Sequence, residues 1–291
     1  MRGSVVPHGL ALGLGLAAAA AATGPSAQTA QLVFRREDGR ETALSKSELR
    51  ARCEPREVEV VDPYHGAPRR YVACSLERVF ELGFGAPPAA FAGEEFLLEA
   101  LDGYTRAAPG RQLAEGGGWI ALEDAERAAR GEGGFEPLDR RQVDPGPFYL
   151  VWSGPGRNDP HRWPWPYQLA RISVARFEER FPHTVPVGVA LDAPARRGFE
   201  IFRRECAMCH AVNGEGGRVG PELNVPRSIV EYRPAAQIKA YVRDPQRFRY
   251  TSMPSHLHLS EEDLDALVAY FTHMSAHKRD PGPRPAAPET P

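Results

Sequence analysis

The stretch "FRRECAMCHAVNGEGG", Phe202 to Gly217, decides how the second half of this chain is read. It sets Cys206, Cys209 and His210 in the order Cys-x-x-Cys-His. Three chemistries use cysteines and histidine so spaced: attachment of a c-type haem, a zinc site, or a redox-active dithiol. Zinc needs a second pair of ligands, and the candidates His256 and His258 stand at i, i+2 with no further Cys-x-x-Cys beside them. A thioredoxin-like dithiol opens a helix after a strand, whereas this motif closes a predicted helix. The full string favours haem, because two thiols can add to the vinyl groups while the adjacent imidazole becomes an axial ligand.

The flanking sequence is helical. Asp192 reads as an N-cap with Pro194 in the first turn, and Gly198, Phe202 and Cys206 then recur at intervals of four along one face. "PAAQIKAYVRDP" carries Ile238, Tyr241 and Val242 at helical spacing and stops before Pro245. "SEEDLDALVAYFTHM" opens with Ser260 and Asp263 in capping-box positions and continues with Leu264, Leu267, Val268 and Phe271. This part is therefore expected to be all-α. The proline-rich tail, residues 277–291, has no apolar period and reads as disordered.

In order and spacing, the helix pattern, the Cys-x-x-Cys-His string, "GPEL" at Gly220 to Leu223, "SMP" at Ser252 to Pro254 and the C-terminal "LVAYF" resemble a class I, monohaem cytochrome c domain over residues 194–276. The resemblance implies one covalent haem c on Cys206 and Cys209, with His210 and Met253 as the axial iron ligands. It further implies that the Pro221 carbonyl accepts the other ring N–H of His210, fixing the imidazole. Met253 lies in an irregular, proline-containing segment that can cross the opposite haem face, as a thioether ligand must. The rivals are Met274, which continues a helical stripe, and His256 and His258. Gly198 and Tyr270 are expected at the crossing of the first and last helices. With both axial positions filled, one-electron transfer to redox partner proteins is favoured over binding of substrate at iron.

Residues 32–180 have a different grain, sheet-rich α+β. "REVEVVDPY" alternates apolar and acidic residues, "HGAP" is a turn, and "RRYVACSL" resumes extended character, which predicts a hairpin. "SLERVFELGF" predicts a short helix stopped at Gly83, and "EEFLLEALDGY", "WIALED", "PFYLVW" and "YQLARISVARFE" predict strands. In sequence order, these segments resemble the sulfite-oxidase-type molybdopterin-binding fold. The family's molybdenum-ligand cysteine has no counterpart in "VVDPYHG", and Cys74 stands inside "YVACSL" where the family has a valine. The expectation is a retained fold without molybdopterin chemistry, used for partner docking or ligand binding. Trp163, Trp165 and Tyr167 are expected to pack in its core or along an edge. Residues 181–193, with Pro182 and Pro186, are expected to form a linker.

The apolar, small-residue run Leu10 to Ala22 behind Arg2 reads as a secretory signal peptide over residues 1–27, cleaved within 24–30, and no later segment is long enough to span a membrane. The expected location is periplasmic. Export would place Cys53 and Cys74 in an oxidising compartment, where a disulfide is the plain reading and a copper site with His65 the alternative. A net charge of −2 on 291 residues gives no basis for nucleic-acid binding, and 42% hydrophobic content is enough for real cores. The expected function is an exported electron-transfer cytochrome or subunit rather than an enzyme. The alternatives are a haem- or molybdenum-containing periplasmic oxidoreductase and a redox-sensing binding protein.

Overall fold

The computed structural model describes residues 30–138 and 142–282. The expected leader at 1–27 and residues 283–291 of the tail lie outside them. The first part of the chain is sheet-rich and the last part helical, as the change of periodicity near residue 180 predicts.

Among the described residues, the helical part has only a two-stranded ribbon, Ala211–Val212 with Glu215–Gly216, and nine strands of the first part build two sheets. In chain order they are β1 (Gln31–Arg35), β2 (Glu41–Ser45), β3 (Arg56–Asp62), β4 (Ala67–Ser75), β5 (Glu95–Ala100), β6 (Thr105–Pro109), β7 (Gly118–Asp124), β8 (Tyr149–Trp152) and β9 (Leu169–Val174). One sheet has the order β2-β1-β9-β5-β6 and the other β3-β4-β7-β8. All pairings are antiparallel except β1 with β9, so the first and last strands of this half lie side by side. The hairpin expected around "HGAP" is β3–β4, with Asp62 opposite Ala67. Its turn is organised by the Asp62 carboxylate, fully buried, which accepts from the Tyr64 and His65 backbone N–H groups at 2.8 and 3.1 Å and from the Tyr71 and Tyr149 hydroxyls at 2.8 and 3.0 Å. A buried carboxylate left without such partners would cost several kcal/mol, so these four donors are what permits it there.

The helix Leu76–Phe84 ends at Gly85, not at Gly83. Gly85 adopts φ 76°, the left-handed cap that glycine enters without penalty. Gly83 lies inside the helix for a packing reason: a Cβ there would come 2.3 Å from the Phe34 ring. The segment "YQLARISVARFE" also differs from expectation, since its strand stops at Val174 and Phe177–Arg180 makes a helical turn. Phe177 leaves the sheet pattern to enter the core of the helical part. Trp163 and Trp165 are buried in the first core, and Cys53 is joined to Cys74, 5.6 Å between Cα atoms, pinning the end of helix Lys46–Arg52 to β4.

The helical part is framed by Pro194–Ile201, Ala235–Arg243 and Glu261–Ser275. The first of these is capped by Ala193 rather than Asp192, with no side-chain hydrogen bond. Pro194 takes the first helical position, and a residue before proline is pushed to extended backbone, so the cap falls immediately ahead of it. Ser260 and Asp263 form the expected capping box. The helix Pro194–Ile201 crosses Glu261–Ser275 at Gly198, where a Cβ would lie 2.0 Å from the Ala266 carbonyl oxygen and 2.7 Å from Tyr270 Cβ.

The first residues of the stretch expected to be a linker, 181–193, pack against the helices, while Val187 and Leu191 further along are exposed. Phe181 is buried with the helices, and Thr184, fully buried, receives a 2.7 Å hydrogen bond from the Tyr270 hydroxyl on its carbonyl. The start of the expected tail is likewise fixed, by a Lys278 ion pair to Glu231 at 2.6 Å and by the Arg279 N–H donating to Asn213 Oδ1 at 3.0 Å. The two halves share a core, because Leu97 of β5 packs among the helical residues. Among the described residues, no helix is long and apolar enough to cross a membrane.

Replacing Gly198 with alanine is expected to force the two helices apart and cost about 1–3 kcal/mol, the usual range for overpacking. Urea unfolding of the haem-loaded protein followed by far-UV circular dichroism measures it, and an unchanged midpoint would contradict the close crossing.

Candidate functional site

The site begins where the first helix loosens. Phe202–Cys206 is one turn of π-helix, closed by the Ala207 N–H to the Phe202 carbonyl at 2.7 Å. Such turns gain a residue relative to an α-turn and often sit at functional positions. Cys206 is buried and Cys209 half-buried, and the chain then turns on hydrogen bonds from the Cys209 and His210 N–H groups to the Cys206 carbonyl at 3.0 and 2.9 Å. The glycine-rich segment that follows folds back over the motif. The Gly217 N–H donates to the Ala207 carbonyl at 2.8 Å and the Gly220 N–H to that of Cys209 at 2.7 Å. Gly220 lies flat against the imidazole, for a Cβ there would stand 2.5 Å from His210 Cε1.

His210 Nδ1 lies 2.8 Å from the Pro221 carbonyl oxygen. A carbonyl only accepts, so Nδ1 carries the proton and Nε2 keeps its lone pair. Burial lowers the pKa of the ring, which favours the neutral form. The thiols behave in the opposite sense to a redox pair: burial pushes Cys209 up to about 12 and raises Cys206 as well. Catalytic dithiols need a depressed pKa, so the upward direction of both shifts argues against the dithiol reading of the motif.

Glu222, in the "GPEL" segment, was not singled out by the sequence reading. Its carboxylate accepts from the backbone N–H groups of Asn213 at 3.0 Å, Gly214 at 3.0 Å, Asn224 at 2.9 Å and Val225 at 3.2 Å. Asn213 and Asn224 extend the network. Asn224 Nδ2 donates to Asn213 Oδ1 and to the Met274 carbonyl, both at 2.8 Å, and Asn213 Nδ2 donates to the His183 carbonyl at 2.9 Å. The loop carrying Pro221 is thus tied to the last helix and to the segment entering the domain. The sequence signals were the Asn213-Gly214 turn dipeptide and a lone acid after a proline, too common to be weighted alone.

The other candidate residues are dispersed. Met274 is in the core, 2% exposed. Met253 is partly buried against the same apolar cluster, with its N–H bonded to Thr251 Oγ1 at 3.1 Å. His256 and His258 gather around Glu205 together with His161 from the first half of the chain. Burial pushes the Glu205 carboxyl up, but hydrogen bonds from His161 and Arg204 outweigh it and bring its pKa to about 2.

The first half touches the motif directly. The Thr105 N–H of β6 donates to the carbonyl of Met208, inside the Cys-x-x-Cys string, at 2.9 Å, and the Arg218 N–H donates to the Gly103 carbonyl at 3.0 Å. Gly103, at φ 89°, has to be glycine at this contact, since a Cβ would meet Arg218 Cβ at 2.8 Å. Arg203 completes the junction by pairing with Glu95 at 2.5 Å.

Two thiols, an imidazole with a free Nε2 and a loop that fixes its rotation define the class: a domain that holds haem covalently for electron transfer. Residues 195–275 match the cytochrome c family and form a cytochrome c domain. Cytochrome c oxidase subunit 2 of Alkalihalophilus pseudofirmus is 36% identical over 88 residues, covering 28% of this chain and 25% of that protein. Cytochrome c of Arabidopsis thaliana is 40% identical over 37 residues, covering 12% of this chain and 33% of that one. The chain therefore spans only a quarter to a third of these relatives. The domain implies haem c, a haem-based electron-transfer function and redox partners, and the donor set described above fits that group.

Substituting Glu222 with alanine strips four backbone N–H groups of their acceptor and is expected to destabilise the haem-loaded protein by about 2–4 kcal/mol. Glutamine, which keeps one acceptor oxygen, should recover part of the loss in the same urea titration.

Proposed function

We propose that this protein is an exported, periplasmic one-electron carrier or electron-transfer subunit, with one haem c attached to Cys206 and Cys209 and its iron held by His210 and Met253. The observation that carries the reading is the 2.8 Å contact of His210 Nδ1 with the Pro221 carbonyl, which leaves Nε2 free and fixes the ring. When bound, the group supplies a one-electron couple, and His/Met ligation raises its potential. The chain's own residues do the rest: the thiols anchor, the Pro221 carbonyl orients His210 while burial favours its neutral form, and Gly220 lets the imidazole lie flush with the backbone.

Of the rival distal ligands, Met274 is committed to the helical core, and His256 and His258 are engaged around Glu205. That supports Met253. The Cys53–Cys74 disulfide supports an oxidising compartment and hence export.

The N-terminal domain we read as a sulfite-oxidase-like fold that serves for docking. Its donor set does not suit molybdopterin chemistry: Cys74 is tied in the disulfide, and the Asp62 turn, where the sequence lacks the ligand cysteine, is filled by structural hydrogen bonds. Its β6 edge and the Gly103 loop instead grip the attachment motif, so it belongs to the electron-transfer unit as a fixed collar. One relative is by name an oxidase subunit, and the proposal takes from it that such a domain can work fused to a larger redox machine.

The test is expression with the leader in a strain that attaches haem. The expected result is a periplasmic protein lacking about its first 27 residues, with one covalent haem by the reduced pyridine spectrum. Cys206→Ser with Cys209→Ser should abolish covalent haem. Met253→Ala should retain it, lose the weak methionine-to-iron absorption of the oxidised form, lower the potential and admit carbon monoxide to the reduced form. An unaltered Met253→Ala spectrum would sink the assignment of the distal ligand.

A further inference from the structure

At the junction of the two domains three histidines converge on one buried acid, an arrangement that haem attachment does not require. His161 Nδ1 lies 3.4 Å from Glu205 Oε2, His258 Nε2 lies 3.4 Å from Glu205 Oε1, and one ligand atom each of His161, Glu205 and His256 fall within 4.8 Å of one another. The imidazole rings are packed edge to face, with centroids 4.9 Å apart for His161 and His258 and 5.6 Å for His161 and His256.

Hydrogen bonding does not account for the cluster. His256 is 2% exposed, yet its Nε2 makes only a 3.4 Å contact with the Glu205 carbonyl oxygen, and its Nδ1 makes no well-formed hydrogen bond among the described residues, the Val242 backbone being the other polar group near the ring. Buried polar side chains are ordinarily satisfied, so such a ring calls for an explanation. Charge pairing accounts for only part of it: the Glu205 carboxylate raises the pKa of His161. One carboxylate balances one cation, and Arg204 already takes Glu205 Oε1 at 2.7 Å. Imidazoles gathered beside a carboxylate are, however, the donor set that a borderline divalent metal selects.

We propose that His161, Glu205 through Oε2, and His256 bind one zinc-type divalent ion, with the fourth position open to the cleft lined by Asp159, Arg162, Ser255 and His258. Zinc bonds of about 2.0–2.2 Å in a tetrahedron set ligand atoms roughly 3.4 Å apart, so the His161 to Glu205 spacing of 3.4 Å already fits, and His256 has to close by up to about 1.4 Å. The cleft gives the ion its way in. Because His161 comes from the loop after β8 while Glu205 and His256 come from the cytochrome domain, the ion joins the two halves beside the attachment motif. The site rests on the reading in which Met253, and not His256, is the distal haem ligand, and the Met253→Ala spectrum tests that reading separately from zinc binding.

The experiment uses the full-length, haem-loaded protein, stripped with a chelator and titrated with zinc chloride. One zinc per chain is expected by metal analysis after desalting, with a thermal transition that rises on adding zinc and falls again on chelation. His161→Ala, at a half-exposed position, should weaken binding roughly tenfold or more and abolish the zinc-dependent rise, with an unchanged pyridine-haem spectrum. Glu205→Gln, nearly the same shape without the charge, is the second variant and should give the same loss. Absence of stoichiometric zinc in the parent protein, or equal zinc affinity in the parent and both variants, would overturn the proposal.

Discussion

Two helices of the cytochrome domain meet at a point where no side chain can stand. Gly198 brings the backbone of Pro194–Ile201 against the Ala266 carbonyl and Tyr270, and the rest of the site is hung from that contact. It fixes the direction in which the chain leaves the helix, through a π-turn, into the two cysteines and His210. It also places Tyr270 so that its hydroxyl holds the segment connecting the domains. The glycine has no chemistry of its own, yet the attachment motif is aimed by it.

Three acids then organise the irregular backbone. Asp62 closes the β3–β4 turn, Glu222 gathers the loop that presents Pro221 to His210, and Glu205 sits where the two halves meet. The first two work alike: the carboxylate supplies acceptors to backbone N–H groups that have no strand or helix to satisfy them. Glu205 differs, since its partners are side chains from both halves. Burial alone would oppose its ionisation, and the surrounding donors reverse that.

The periodicities in the sequence made the two-part architecture legible. Alternation across "REVEVVDPY" and "RRYVACSL" gave the hairpin, the capping box at Ser260 gave the last helix, and Gly198 with Tyr270 gave the crossing. What stayed hidden depended on contacts distant in sequence. Gly83 read as a helix stop because the Phe34 ring that demands a glycine there comes from another strand. The 181–193 stretch read as a linker because prolines announce irregular backbone, and nothing local says that Thr184 will meet Tyr270. The Cys206, Cys209 and His210 cluster was compact enough to be seen as one site, whereas His161, Glu205 and His256 are scattered along the chain and were brought together only by the docking of two domains.

The grip of β6 on the Met208 carbonyl bears on the order in which this molecule matures. With the domains closed, Cys206 is only 7% exposed and its neighbours' backbone groups are already committed to Thr105 and Gly217. An attachment apparatus needs both thiols within reach and a chain that can still yield. On the proposed attachment at Cys206 and Cys209, haem would enter more readily while the C-terminal segment is open, with docking of the earlier-made domain following. The collar that positions the finished motif would, if it closed too soon, be the lock that keeps the cofactor out.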